Sequence, residues 1–283
     1  MNYRHLYHAG NFGDVLKHIT LIAIISSLLK KETPFFYLDT HAGAGYYDLL
    51  SEIAKKNKEH ELGIMKLMQQ DKPPGLIKYY LNCVREINNR LSQSKYSSFR
   101  YYPGSPFIVR HLIRGKDHMT LTELQPQEYQ ALRLAFNMDL QVSIHNIDGY
   151  MGLKAFLPPR ERRGLVLIDP AYENPDEFTR ITTNLPLALK RWETGIYAIW
   201  YPIKERVQID RFHRLLRETI ERPMLVIELS IYPEDMPSHL NGSGMIVINP
   251  PWQLKEEIEA ILPTLWKYLS HSQQGMASCY LLK

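Results

Sequence analysis

The chain alternates short, nearly continuous apolar runs with longer stretches whose apolar residues recur every three to four positions. Residues 34–39 (PFFYLD), 119–123 (MTLTE), 141–146 (QVSIHN), 164–169 (GLVLID), 195–202 (GIYAIWYP) and 224–229 (MLVIEL) are runs of the first kind, rich in β-branched and aromatic residues. Their length and composition predict strands, and those without polar alternation predict strands buried on both faces. Stretches of the second kind lie among them. They are DVLKHITLIAIISSLL (14–29), with an N-cap expected near Asp14, PQEYQALRLAF (126–136) and RVQIDRFHRLLRETI (206–220). This rhythm predicts an α/β fold, a mostly parallel sheet covered by helices. GMIVINP (244–250) and MASCYLL (276–282) add two late strands, expected at one edge and partly antiparallel.

One interval breaks the rhythm. Residues 47–103 hold no convincing strand, but two charged helical stretches, EIAKKNKEHELGIMKLMQQ (52–70) and GLIKYYLNCVREINNRL (75–91). An unstructured loop of that length is improbable in a compact domain. A helical subdomain inserted after the first strand is therefore expected, with residues 1–46 and 104–283 forming the main domain.

Composition narrows the class. The 283 residues suffice for one large core. The longest apolar stretch, Ile19 to Leu29, reads as too short and interrupted to span a bilayer. The first residues, MNYRHLYHAGNFGD, lack the apolar core of a secretory signal. Cys83 and Cys279 are the only cysteines and stand far apart, which argues against a disulfide scaffold and suits a reducing cytoplasm. His5, His8, Asp14 and His18 make a poor metal set, because nothing nearby completes it. Neither a metal nor a membrane partner is expected. The net charge is only +4, but between Tyr46 and Tyr102 ten Lys or Arg stand against six Asp or Glu. Two small basic clusters, 114–116 (RGK) and 160–163 (RERR), are candidates to follow a phosphate backbone if they lie near a catalytic pocket.

The chemistry gathers at strand ends, where ligands bind in open α/β sheets. The first strand runs into Asp39-Thr40-His41-Ala42-Gly43-Ala44-Gly45. Glycines there let a ligand approach the backbone. A dinucleotide fingerprint needs a third glycine where this chain has Asp48, so nicotinamide binding is disfavoured. A short G-x-G after a strand also suits the methionine end of S-adenosylmethionine (SAM). Glu123 ends the second strand, placed to accept ribose hydroxyls or simply to cap the next helix. Asp148, followed by Gly149, is placed to accept from an adenine amino group or to serve as an N-cap. Three successive strand ends suited to three parts of one molecule favour SAM as the cofactor.

The fourth strand ends in Asp169-Pro170-Ala171-Tyr172. The lone pair of a nucleobase amino group is delocalised into the ring, so methylating it requires the group to be held and aimed. The Asp169 carboxylate and the Pro170 carbonyl can accept its two N–H groups while Tyr172 stacks on the ring. The carboxylate also stabilises positive charge developing on nitrogen, and either it or water can take the departing proton. This resembles the [DNS]-P-P-[YFW] motif of amino-directed methyltransferases, with Ala171 in place of the second proline. The change leaves Pro170 less pre-aimed, and only a modest effect on rate is expected. Asn249-Pro250-Pro251-Trp252 matches the motif better, but its late position, expected near a sheet edge, argues for Asp169.

Seven stretches together carry a wider resemblance: YRHLYHAGNFGDVLKH, YLDTHAGAG, YYPGSP, LTELQP, GLVLIDPAYE, GIYAIWYP and SGMIVINPPW. Over nearly its whole length the chain resembles the RlmJ family of bacterial 23S ribosomal RNA adenine-N6 methyltransferases. The resemblance implies a Rossmann-like class I SAM-dependent methyltransferase with a small helical insertion; a cytoplasmic monomer is expected. Its partner would be 23S rRNA, naked or early in assembly. It puts His18, His41, Ser105, Glu123, Asp148 and Gly149 on cofactor-contacting positions and Asp169 on the catalytic position beside the cofactor. Tyr3 falls on a substrate-contacting position. The residues alone leave a DNA adenine-N6 or rRNA guanine-N2 methyltransferase open, as well as an RNA-binding module that no longer turns over.

Overall fold

The computed structural model describes residues 5–92, 99–233, 236, 240–271 and 273–283. A 3-10 turn over His5–Tyr7 leads into α1 (Phe12–Leu29), then β1 (Phe36–Asp39) and β2 (Tyr46–Asp48). Four helices follow: α2 (Glu52–Asn57), α3 (Glu59–Leu62), α4 (Ile64–Met68) and α5 (Gly75–Leu91). Next come β3 (Tyr101–Pro103), α6 (Ser105–Leu112), β4 (His118–Thr122), α7 (Pro126–Ala135), β5 (Val142–His145), α8 (Gly149–Phe156) and β6 (Gly164–Ile168). The chain closes with α9 (Glu177–Arg191), β7 (Ile196–Ile203), α10 (Arg206–Thr219), β8 (Met224–Ser230), β9 (Gly242–Ile248), α11 (Leu254–Leu269) and β10 (Met276–Leu282).

Eight strands form one sheet in the order β10-β8-β9-β7-β6-β1-β4-β5. The run from β7 to β5 is parallel, β9 is antiparallel to both β7 and β8, and β10 is antiparallel to β8. This is the Rossmann-like methyltransferase sheet that the sequence pattern and the resemblance predicted. Each central strand serves two cores. Leu165 and Leu167 of β6 enter the layer shared with α1, α5, α6 and α11, while Val166 and Ile168 enter the layer shared with α8, α9 and α10. That is the period-2 consequence of a pleated strand covered on both sides.

Three details differ from expectation. The late strand β9 lies inside the sheet, between β7 and β8, and only β10 sits at the edge. Helix α1 begins earlier than the apolar periodicity suggests: Asn11 is its N-cap, accepting from the Asp14 amide at 2.9 Å. The same helix, over Phe12–Leu29, is long and apolar enough to cross a membrane, with mean hydropathy 1.6, yet 83% of it is buried in the protein. A helix apolar nearly all round is what a core position between sheet and neighbouring helices requires.

Between β2 and β3 the expected helices are present, but the first stretch is broken into α2, α3 and α4. Lys58 takes a left-handed conformation (φ 53°), and Gly63 passes so close to the Gly10 carbonyl that no Cβ fits. Strands β2 and β3 pair antiparallel at the base of these helices. They correct the expectation that residues 47–103 hold no strand; three-residue strands are too short to show a period.

Candidate active site

The C-terminal ends of the parallel strands converge on one pocket. Its wall includes His18, His41, Gly43, Ser105, Glu123, Asp148, Gly149, Asp169 and Pro170. Tyr172 lines a second cavity of about 920 Å³, within the roughly 300–1,000 Å³ usual for ligand sites. The two cavities share His5, Lys17, Asp169 and Ala171, so Asp169 stands at their border. Tyr3 lies outside the described residues.

The glycine loop after β1 is held from both sides. Gly43 (φ 61°) and Gly45 (φ 88°) adopt left-handed backbone, and a Cβ on Gly43 would collide with the Tyr47 hydroxyl. The Gly43 amide donates to Glu123 Oε2 at 2.8 Å, and the Gln125 amide donates to Oε1 at 2.7 Å. Burial raises the Glu123 pKa, partly offset by these amides. The Gly104 amide donates to the Gly45 carbonyl at 2.7 Å, so the β2–β3 pair delivers Ser105 to the loop. Ser105 Oγ and Tyr37 Oη donate to the same Asp39 oxygen at 2.6 and 2.8 Å. Burial pushes this carboxyl up to about 6.

The histidines are kept neutral. His18 is 1% exposed; its Nδ1 pairs with Tyr102 Oη at 2.8 Å, while its Nε2 has no partner among the described residues. Burial, helped by Lys17, lowers its pKa to about 3. A buried ring nitrogen left unspent beside a pocket is costly unless a ligand meets it. His41 pairs with Thr40 Oγ1 at 2.8 Å, and burial lowers its pKa to about 4. Gly149 approaches β1 so closely that a Cβ would strike the Thr40 carbonyl. Asp148 fulfils the capping role expected of it, accepting at Oδ1 from the Tyr150 and Met151 amides at 2.9 and 3.2 Å, and it also lines the pocket. The donors, acceptors and glycine cradle suit the polar and flat parts of SAM.

At the border between the cavities the structure supplies a residue that sequence reasoning missed. Lys17 Nζ donates to Asp169 Oδ2 at 2.5 Å and to Asp14 Oδ1 at 2.7 Å. Asp14 also accepts the Gly10 amide at 2.8 Å and pairs with His5 Nε2 at 2.9 Å. Burial favours the neutral amine of Lys17, but the two carboxylates outweigh it and raise its pKa. Burial likewise opposes the Asp14 charge, and His5 and Lys17 outweigh it, holding that carboxyl well below its usual range. The signal was present: Asp14 and Lys17 are charged residues one turn apart in an otherwise apolar helix.

Tyr172 is held at φ 51°, a conformation rare for a bulky residue. Its hydroxyl donates to the Trp200 carbonyl at 2.6 Å, and its ring lies 5.0 Å from Phe178 and 5.8 Å from Trp200.

Asn249 stands apart. Because β9 runs antiparallel, its C-terminal end, Ile248, pairs with the starts of β7 and β8, on the edge of the sheet opposite the pocket. There Asn249 Nδ2 donates to the carbonyls of Glu193 and Gly195, both at 2.8 Å, and Trp252 is 85% exposed. The basic clusters at 114–116 and 160–163 also lie at this far edge, before β4 and β6, rather than near the pocket. Arg114 pairs with Asp117, Lys116 with Glu32, and Arg163 donates to the Leu28 and Thr33 carbonyls. Arg114, Lys116 and Arg163 thus hold loops together at this edge. Among the described residues no group of three or more His, Cys, Asp or Glu could hold a metal ion.

Comparison with known proteins agrees with this geometry. Residues 32–281 match the family model described as ribosomal RNA large subunit methyltransferase D, RlmJ. The chain is 44% identical over 278 residues to ribosomal RNA large subunit methyltransferase J of Escherichia coli, covering 98% of this chain and 97% of that one. It is 43% identical over 269 residues to the protein of the same name from Haemophilus influenzae, covering 95% and 94%. A crystal structure of a Legionella pneumophila protein superposes with a TM-score of 0.85 at 34% identity, covering 97% of each chain. The chain belongs to the RlmJ family of ribosomal RNA large subunit methyltransferases.

Proposed function

We propose that this protein methylates N6 of one adenine in 23S ribosomal RNA, with SAM as the methyl donor and Asp169 as the catalytic residue. The observation that carries the reading is the position of Asp169, whose carboxylate lines both the glycine-cradled pocket and the cavity of Tyr172. Membership of a ribosomal RNA large subunit methyltransferase family supplies the reaction class and the RNA.

When bound, SAM supplies an electrophilic methyl group on a sulfonium. His18 Nε2, Ser105 and the loop at Gly43 would hold its methionine end, Glu123 its ribose, and Asp148 with Gly149 its adenine. Lys17 takes Oδ2 of Asp169 and leaves Oδ1 to accept one N–H of the target amino group, while the Pro170 carbonyl accepts the other. The departing proton goes to water or to this carboxylate. The target base reaches this point unstacked from its helix, with its face on Tyr172.

We read residues 47–103 as a subdomain inserted into a methyltransferase domain of residues 1–46 and 104–283. Glu59 and Leu62 of that subdomain wall the substrate cavity. The protein acts in the cytoplasm, as a monomer, on naked or early-assembly rRNA.

Labelled-methyl transfer tests the substrate. Incorporation into 23S rRNA transcript as N6-methyladenine supports the proposal; incorporation into duplex DNA, or at guanine N2, refutes it.

A further inference from the structure

Behind the end of the pocket that holds Asp148 lies a second set of charges. Arg180, on the first turn of α9, donates from Nη2 to Asp148 Oδ2 at 2.7 Å. Its Nη1 reaches Glu177 Oε1 at 3.4 Å, and its Cζ lies 4.4 Å above the Tyr150 ring. Glu177, 5% exposed, accepts the Tyr150 hydroxyl at 2.7 Å on that same oxygen. Arg180 and Glu177 both line the cofactor pocket.

The two oxygens of Asp148 therefore have different anchors. Oδ1 is fixed by the amides at the start of α8, and Oδ2 by a guanidinium from α9. A capping carboxylate held only at Oδ1 keeps freedom about its terminal torsion, which is broad. The planar guanidinium removes that freedom, because its own plane is set by the Tyr150 ring and by Glu177. Lysine, a point charge on a flexible stem, would balance the charge without fixing the plane.

We propose that Arg180 is a positioning residue for the adenine end of the SAM site, holding the Asp148 carboxylate in the plane in which it accepts from the adenine amino group. This rests on the reading of Asp148 given above. Arg180 acts through Asp148, and Glu177 with Tyr150 holds Arg180. Because α9 starts where the loop from Asp169 ends, the same contact ties that loop to the cofactor's far end.

Calorimetry with SAM and S-adenosylhomocysteine tests the idea without turnover. Relative to wild type, R180Q is expected to weaken both ligands at least about tenfold, and R180K to weaken them by an intermediate amount with an unchanged melting temperature. In steady-state kinetics the KM for SAM should rise at least about tenfold with R180Q, well beyond any change in the KM for RNA. In a D148N background, R180Q should add less than about twofold. S-inosylhomocysteine, which lacks the amino group, should bind wild type and R180Q alike. The proposal is overturned if R180Q weakens binding equally in the D148N background, if it weakens the inosine ligand equally, or if R180K binds SAM as wild type does. Failure of wild type itself to bind SAM would instead refute the cofactor reading.

Discussion

Lys17 and Asp169 show how a short contact changes what a motif residue can do. Their pairing, with Asp14 behind it, forms a chain of alternating charge that ends at Asp169, the proposed catalytic residue. Removing the cation would strip Asp169 of this ion pair and leave Asp14 with His5 as its remaining ion-pair partner among the described residues, so Lys17→Met should cost about 3–5 kcal/mol of stability, checked by denaturant unfolding. Asp169→Asn keeps the shape but loses the charge; methyl transfer should fall at least about a hundredfold, while calorimetry finds SAM binding retained. Asn249→Ala should leave transfer unchanged, because that residue faces the opposite edge of the sheet. At this scale the sequence was informative wherever a residue belongs to a strand-end pattern: Gly43, Glu123, Asp148 and Asp169 all line one pocket. Lys17, Glu177 and Arg180 were not legible as site residues. Glu177 and Arg180 sit where the pattern of α9 explains them as ordinary, and Lys17, though a charge in an apolar helix, showed no partner in the sequence; the packing of α1 and α9 against the strand ends brings all three into the pocket.

At the level of elements, strand polarity decides which motif is functional. Two stretches of nearly the same composition follow β6 and β9, and only the parallel strand delivers its stretch to the pocket side. Position in the chain already favoured Asp169, but for a partly mistaken reason, since β9 is interior and it is its direction that removes Asn249. The late strands were expected to be partly antiparallel, but the pattern did not say which of them turned, so direction could not yet exclude Asn249. The contact of α8 with β1 is equally specific. Gly149→Ala forces a methyl against the Thr40 carbonyl, and should cost about 1–3 kcal/mol and weaken SAM in calorimetry. In the motif loop, Tyr172 is already anchored through its hydroxyl to β7. Ala171→Pro should therefore change kcat by less than about threefold, since the proline's restriction on its neighbour adds little to that anchor.

Across the whole molecule, the buried neutral histidines set the response to acid. His18 ionises near 6.5 when unfolded and at about 3 when folded. Below pH 6.5 the unfolded chain binds the proton first, so stability falls with pH, by about 2 kcal/mol at pH 5 from this residue alone. His8 acts in the opposite sense: its hydrogen bond to Glu59 raises its pKa, adding stability below 6.5 that is lost as pH rises through the folded value. Asp39, raised to about 6 by burial, also adds stability as pH falls; thermal melts at pH 7 and pH 5 read the net, and His18→Gln should shrink the acid loss. The sheet, its helical layers and the pocket were legible because long buried runs and strand-end residues are repeated signals. The short β2–β3 pair and the charge chain were not, being single contacts between distant segments. The account stands on one arrangement, the Asp169 carboxylate between cofactor and base. Its most direct test is a map of N6-methyladenine in 23S rRNA from cells carrying the wild-type gene, the Asp169→Asn gene or neither. One methylated adenine present only with the wild type is the result predicted. The same adenine methylated with Asp169→Asn, or no adenine differing among the three strains, would contradict it.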